Sequence, residues 1–483
     1  MKKLTIDPIT RLEGHGKILL YLDEAGGLKG AVLQVPELRG FEAFCCGRPG
    51  EEMPQITERI CGVCPEAHHL ASARALDAAY NAAVPAPAWI QRELFYNTYI
   101  FADHLLHLVF LGGPDLLLPA DTPKANRNVL GVLEAFPELG REVVTVRARA
   151  QRILEIIGGR AIHPVFALPG GVARPLTGDE RNEIRSHTAA MVALARTFVT
   201  FFHEEVLPDP GYQSLLALPQ AHLPTHYLGL VDPNLAPSFC RGQLRAVSPD
   251  GTELFRLDGA AALDRIAERS EPWTYVKFPY LKEPGWTGFE AGAGSGIYRV
   301  GPLARLNVAE RMATPLAQEE YERFLDFFGA KPVHATFAYH WARLVEMVQA
   351  AEAAAALAEE KGLTETEIRG KLGEPGAGVG VVEAARGTLF HRYALDEQGL
   401  IAEVNLIVAT THNAAGIGLS VKGMAEGVVR KKDLDEVLLN RIEMAFRAYD
   451  PCLACATHFL PGEMPLAIEI YNAEGRLERR ISR

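Results

Sequence analysis

Cysteine is scarce in this chain, seven in 483 residues. That is too few for a disulfide framework to hold a protein of this length, and four of the seven fall in two Cys-x-x-Cys pairs, which suits thiolate metal ligands in a reducing compartment. Long apolar runs are missing as well: no uncharged stretch reaches the roughly 18–20 residues that a membrane helix needs. The start, Met-Lys-Lys-Leu-Thr-Ile-Asp-Pro, meets Asp7 and Pro8 before a signal-peptide core develops. The expectation is a cytoplasmic protein without direct membrane insertion. Basic patches are lacking too. A net charge of −11 argues against a nucleic-acid footprint, and the densest basic cluster, Arg430, Lys431 and Lys432, runs at once into Asp433 and Asp435, as at a solvated helix end. No Ser-rich, Gly-rich or low-complexity linker divides the sequence, so residues 1–483 are expected to form a single intertwined domain.

What is present is ample material for a core: 48% hydrophobic residues against 23% charged. The first forty residues carry β-branched and apolar runs broken by Gly, Asp and Pro, which predicts a small N-terminal β-sheet. From Pro65 onward helix formers dominate, and Pro65 suits a first helical turn, so the first Cys-x-x-Cys falls at a helix N-terminus. Helical periodicity marks 89–111, 138–157, 179–202, 318–328 and 340–361, and a helix over 433–448 precedes the second pair. Pro- and Gly-rich stretches over 207–237 and 284–301, with strand-like pieces such as 275–278, are assigned to surface excursions. The predicted class is α+β, mainly helical: a bundle of long helices with a small N-terminal β-sheet and peripheral strand and loop excursions.

Cys61-Gly-Val-Cys64 and Cys452-Leu-Ala-Cys455 each place two sulfurs close enough to bind a single soft or borderline metal. Neither pair completes a four-thiolate shell, so the fold must bring them together from opposite ends of the chain. A structural tetrahedral zinc is the commonest fate of two such pairs. Zinc ribbons, however, usually space their pairs by about 15–20 residues, and a stapling zinc does not require Arg59, His68, Asp450 and His458 beside its ligands. A thioredoxin-type redox pair lacks its βαβ context, and two unrelated pairs of reduced core cysteines remain a third reading.

Arg59-Ile-Cys-Gly-Val-Cys-Pro-Glu-Ala-His68 and Asp450-Pro-Cys-Leu-Ala-Cys-Ala-Thr-His458 resemble the two signature motifs of nickel-iron hydrogenase large subunits. Arg11-Leu-Glu-Gly-His15, Asp103-His-Leu-Leu-His107, Val300-Gly-Pro-Leu-Ala-Arg305, Glu383-Ala-Ala-Arg-Gly387 and Leu406-Ile-Val-Ala-Thr-Thr-His-Asn413 resemble family segments in the same order. The wording is most similar to the cytoplasmic multisubunit branch linked to NAD, deazaflavin or heterodisulfide reductase.

The resemblance implies reversible cleavage of H2 to protons and electrons. It makes Cys61 and Cys452 terminal nickel ligands, and Cys64 and Cys455 bridges to an iron bearing carbon monoxide and cyanide. Splitting so weak an acid needs a metal and an adjacent base, a part that Cys452 or Arg386 would take. Asp103 and Asp450 match carboxylates that hold Arg386. Thr410 matches a hydroxyl donor to cyanide, His68 a hydrogen-bonding neighbour of Cys64, and Glu13 a carboxyl that passes protons away from the nickel thiolate. Glu42 and His458 match ligands of magnesium or a similar divalent cation. Ala385 and Ala409 stand where many members have proline. His15, His104, His107 and His412 are expected to be satisfied core histidines.

The three remaining cysteines, Cys45, Cys46 and Cys240, are too few for an iron-sulfur cluster in this chain. A small iron-sulfur subunit, with further electron-transfer subunits beyond it, is therefore expected as a partner, while adjacent Cys45 and Cys46 read as packed free thiols. Gly292-Ala-Gly-Ser-Gly lies in a loop-rich stretch, so no nucleotide site is expected here. Residues 459–483 form a tail that in the family is often clipped after the histidine; their pattern of strand, turn and strand equally suits a retained β-hairpin. Two alternatives of function stay open, a hydrogen sensor and a metal-free structural subunit of a complex I-like assembly, the latter disfavoured by the four thiolates.

Overall fold

The computed structural model describes residues 2–429, 436–458, 467–471 and 477–482. The basic cluster at 430–432 and the first turn expected for the helix over 433–448 lie outside the described residues.

The N-terminal sheet forms as predicted, with strands β1 (Lys2–Ile6), β2 (Lys17–Leu22) and β3 (Leu28–Gln34) antiparallel in that order. Ile18 and Leu20 alternate onto its inner face and are inaccessible to solvent. Helix α1 (Pro65–Ala79) opens on Cys64 and Pro65. The long helices are α2 (Ala86–Leu106), α3 (Pro137–Gly158), α4 (Gly178–Phe201), α5 (Pro315–Phe328) and α6 (Ala338–Glu359), with α6 packed between α2 and α4. Their ends carry the expected chemistry. Thr177 and Glu180 cap α4 reciprocally, each side chain accepting the other's backbone N–H. Helix α3 ends on Gly159, at φ +75, where a residue with a Cβ would be strained.

One assignment needs correction. The stretches 207–237 and 284–301 are not all surface excursions, because His226–Val231 is a strand, β4, buried at every position. It lies inside a four-stranded sheet, between β7 (Tyr298–Arg299), which is parallel to it, and β5 (Gln243–Val247), which is followed by β6 (Glu253–Leu257). A short strand covered on both faces shows no alternation, so its flanking Pro and Gly dominate the sequence signal. Of the strand-like piece 275–278 only Phe278 falls in a strand, Phe278–Leu281.

The element that shapes the site is a meander of β8 (Ala377–Ala384), β9 (Gly387–Leu395) and β10 (Ile401–Ile407). Its first strand lies directly on α1. A Cβ on Gly378 would fall 2.2 Å from Ala75 O, and one on Gly380 2.1 Å from Ala71 O, so only glycine permits this approach. Helices α7 (Ala409–Val429) and α8 (Glu436–Ala448) follow and lead into the second cysteine pair. Beyond it, β11 (Ala467–Tyr471) and β12 (Leu477–Ser482) pair antiparallel. The main apolar core includes side chains from Ile6 to Ala456. Among the described residues no helix is long and apolar enough to cross a membrane.

Candidate metal centre

Both ends of the chain meet at the four cysteines. Cys64 is the N-cap of α1 and Cys61 precedes it in extended backbone. Cys452 and Cys455 follow α8, after Asp450 adopts φ 55, a left-handed conformation that costs a residue with a Cβ. The N-terminal loop is fastened to this segment: Leu453 N donates to Glu13 O at 2.9 Å. Gly14, at φ +82, allows it, since a Cβ there would sit 2.6 Å from Ala454 N. The four sulfurs are buried and lie within 4.8 Å of one another. Cys452 and Cys455 are 2.7 Å apart, Cys61 and Cys452 3.3 Å, and Cys64 and Cys455 3.5 Å, with no disulfide among them.

Hydrogen bonds from Cys452, Cys455 and Cys64 hold the Cys61 thiol well below its ordinary pKa, whereas burial pushes Cys452 and Cys455 well up. All four can ionise together only around a cation, which is the behaviour of a thiolate metal site. A small cavity of ≈10 Å³ adjoins the sulfurs, bordered by Cys64, His68, Arg386, Leu389, Thr410 and Cys455. The donor set, four buried sulfurs converging on one point, fits a soft or borderline metal.

Arg386 occupies the two-residue turn between β8 and β9. Its Nη1 donates to Asp103 Oδ2 at 2.9 Å, and its Nη2 lies 3.0 Å from Asp450 Oδ2. Against the burial that would discharge it, Asp103 and Asp450, then Cys452 and Cys64, keep this guanidinium charged. The turn is clamped from behind: Arg305 donates to the carbonyls of Ala384 and Ala385 at 2.9 and 3.1 Å, and Asn413 Nδ2 to that of Arg386 at 3.4 Å. Ala385 N–H donates to Tyr99 Oη at 3.4 Å, a bond that proline could not make. Ala409 opens α7, a position that tolerates proline equally well.

Glu13 Oε2 accepts from Cys452 Sγ at 2.9 Å and from Ala454 N at 3.1 Å. Burial first, then the charge on Cys61, raises its pKa, bringing the carboxyl toward the range in which it can both take and release a proton. Thr410 Oγ1 accepts from Cys452 N at 3.0 Å, so its own proton is free to donate into the cavity. His68 borders the same cavity, and its Nε2 has no partner. Glu42 and His458 lie beside one another rather than at the cysteines. Glu42 N donates to His458 O at 3.3 Å, and the Glu42 carboxylate accepts from Leu406 N at 2.7 Å. The His458 ring hydrogen-bonds to Cys455 O through Nε2 and leaves Nδ1 unpartnered.

The core histidines divide. His104 pairs with Glu346 at 3.0 Å and His412 with Tyr298, as expected. His107 is buried but faces Asp450 Oδ1 at 3.1 Å, which makes it part of the Arg386 support. His15 departs from expectation: it is exposed and pairs with Glu37, because Gly14 turns the chain outward after Glu13. Cys45 is a packed free thiol, whereas Cys46 is exposed. Sequence reasoning gave no role to Arg305, Glu58, His391 or Tyr393. The last two share a strand face with Leu389 at a period of two, a signal present in the sequence but tied to no motif.

A family model described as nickel-dependent hydrogenase matches residues 39–129 and 264–458, and one described as HoxL-like matches residues 3–38. An iron-sulfur subunit of the F420-non-reducing hydrogenase of Archaeoglobus profundus is 42% identical, over 100% of this chain and 99% of that protein. The NAD-reducing hydrogenase HoxS subunit beta of Cupriavidus necator is 36% identical over 99% and 98%. Among solved structures, a chain of an NAD+-reducing NiFe-hydrogenase in the H2-reduced state superposes with a TM-score of 0.89 at 37% identity, covering 95% of this chain and 100% of that one.

Proposed function

The chain belongs to the nickel-dependent hydrogenases as a large subunit, an oxidoreductase acting on hydrogen, and from that premise we propose that it splits H2 reversibly into protons and electrons at a nickel–iron group held by Cys61, Cys64, Cys452 and Cys455. The observation that carries this reading is the convergence of four buried sulfurs from both ends of the chain beneath the Arg386 guanidinium. When bound, with carbon monoxide and cyanide on its iron, the group supplies the electrophile that polarises H2.

The protein's own residues then handle the proton. Cys61, Cys64, Cys452 and Cys455 would hold the group through their thiolates. Cys452 or Arg386 receives the proton released beside the cavity. From Cys452 Sγ it passes to Glu13 Oε2, 2.9 Å away, whose raised pKa suits acceptance followed by release. Asp103 and Asp450 hold Arg386 charged and aimed, Thr410 would donate to a cyanide nitrogen, and Glu42 with His458 would hold magnesium or a similar divalent cation near the second motif. A single intertwined domain accords with a site that needs both ends of the chain.

Electrons leave through iron-sulfur clusters of a small partner subunit, then through further electron-transfer subunits, since this chain has no fourth spare cysteine to join Cys45, Cys46 and Cys240 in a cluster of its own. The relatives named for F420-non-reducing and NAD-reducing activity support such an assembly, and seven unpaired cysteines favour a reducing, cytoplasmic setting. Dye reduction under H2 tests the arrangement. The complex with its partner is expected to reduce the dye, and the isolated, metal-loaded chain to lose most of that rate; full activity of the isolated chain would contradict it.

A further inference from the structure

Behind the turn that carries Arg386, a second arginine is fully enclosed. Arg305 sits on a short buried helix, Pro302–Val308, has no solvent exposure, and places its guanidinium 5.6 Å from the centroid of the Phe239 ring. Each of its five N–H groups has a partner. Nε and Nη2 donate to the two carboxylate oxygens of Glu346, on α6, at 2.5 and 2.6 Å, and Nη1 donates to Glu383 Oε2, in β8, at 2.8 Å. The remaining two reach the carbonyls of Ala384 and Ala385, which lead into Arg386. Both carboxylates are held in turn. Glu346 Oε2 also accepts from His104 Nε2 at 3.0 Å, and Glu383 Oε1 accepts from Thr388 Oγ1 at 2.7 Å and from Leu230 N, in β4, at 3.1 Å. The helix that carries Arg305 starts after Gly301, where a Cβ would fall 2.8 Å from the carbonyl oxygen of Arg386.

We propose that the Arg305–Glu346 pair positions Arg386: it holds the backbone of the Arg386 turn and helix α2 at one fixed separation, so that the guanidinium and its Asp103 partner meet beside the cysteine sulfurs. The inference rests on the reading that the four cysteines hold a nickel–iron group. Arg386 is supported from two sides. Arg305 fixes the backbone that leads into it, and Asp103 Oδ2 accepts from its Nη1 at 2.9 Å. Asp103 and His104 are neighbours on α2, and His104 donates to the same Glu346 that clasps Arg305. One carboxylate therefore spans both supports. A guanidinium can do this where an ammonium cannot, because its planar fork presents two parallel N–H groups to a carboxylate and keeps three for other acceptors, whereas lysine has three donors and no fork. Every bond lost here leaves a buried acceptor without its partner. Arg305 and Glu346 do not border the cavity beside the sulfurs, which Arg386 does; they act through Arg386, as positioning residues.

Arg305→Lys keeps the charge but can make at most three of the five bonds. In the complex purified with its partner subunit, turnover of H2 per bound nickel should fall by about 10–10²-fold in this variant, since a misplacement of about 1 Å at a reacting group costs on that order, while KM for H2 stays at the wild-type value. The infrared bands of carbon monoxide and cyanide should shift, because a charge beside the iron's ligands has moved, and amide hydrogen exchange across residues 384–387 should quicken. Adding Arg305→Lys to Arg386→Lys should move the bands no further than Arg386→Lys does alone. A merely structural arginine gives a different result: nickel content and melting temperature fall, but the nickel that remains turns over at the wild-type rate with its bands in place. That result, or a further band shift in the double variant, would overturn the assignment. Glu346→Gln keeps the shape of the side chain and leaves the bonds to the carbonyls, so it decides if Arg305→Lys does not assemble; turnover per nickel should fall and the bands shift there too, and wild-type values of both would overturn the proposal. Metal content separates the two layers. A wild-type complex without nickel and iron overturns the underlying reading and the proposal with it, whereas a wild-type complex that holds both, with unaffected variants, overturns the proposal alone.

Discussion

Glu13 reaches the cysteine cluster from a loop that leaves the N-terminal sheet, and its carboxylate accepts from Cys452 Sγ. Replacing it by glutamine keeps the shape and the hydrogen bond from Ala454 but removes the proton carrier. Glu13→Gln should therefore retain nickel and iron while hydrogen turnover falls by about 10²–10⁴-fold, the usual loss of a general acid–base group; unchanged turnover would sink the relay. Glu58 offers a test of different sign. It is inaccessible to solvent, neither oxygen has a hydrogen-bond partner, and burial pushes its pKa up to about 8 while Arg59 and Arg160 oppose the rise. A raised carboxyl pKa gives stability that is fully present below the unfolded value near 4.5 and is lost as pH rises toward 8. Glu58→Gln has no proton to lose, so between pH 5 and 8 its melting temperature should fall less than that of the wild type; parallel curves would contradict this. At this scale the sequence was legible where chemistry clusters in motifs, as for Cys61, Cys64, Cys452 and Cys455 with their flanking Arg and Asp neighbours. It was illegible where partners lie far apart, as for His391 against His68, and misleading at His15, which a matched segment carries to the surface.

The α1–β8 contact is the element-scale counterpart of the cysteine cluster, because α1 carries Cys64 and His68 while the turn after β8 carries Arg386. Their separation is set by backbone lying on small residues, with Gly378 and Gly380 against Ala71 and Ala75. In Gly380→Ala the new methyl cannot fit without parting strand from helix, so a loss of about 1–3 kcal/mol is expected, and nickel content should fall with it as Arg386 moves off the sulfurs. Thermal unfolding and metal analysis of the variant check both, and wild-type values in each would show that the contact does not govern the site. The long helices were readable from their 3.6-residue periodicity. The buried strand His226–Val231 and the glycine-rich β8 were not, since the former has no exposed face and the latter lacks side chains at the positions that pack closest.

At the scale of the whole molecule, the chain is folded so that residues near both ends supply one reaction centre. Glu13, Cys61 and Cys64 arrive from the N-terminal part, Asp103, Arg305 and Arg386 from the helices and the meander, and Asp450, Cys452 and Cys455 from the end of α8. Breaking the buried Arg386 pairs would leave two carboxylates uncompensated, at a cost of about 3–5 kcal/mol, which ties the stability of the centre to its function. The central claim is that this convergence holds nickel and iron rather than a stapling zinc. Metal analysis of the purified complex, combined with its infrared spectrum, tests it most directly. The account predicts nickel bound in proportion to the chain, iron beyond that held by the partner's clusters, and absorption bands from carbon monoxide and cyanide; zinc in the cysteine site, with no nickel and no such bands, would contradict it.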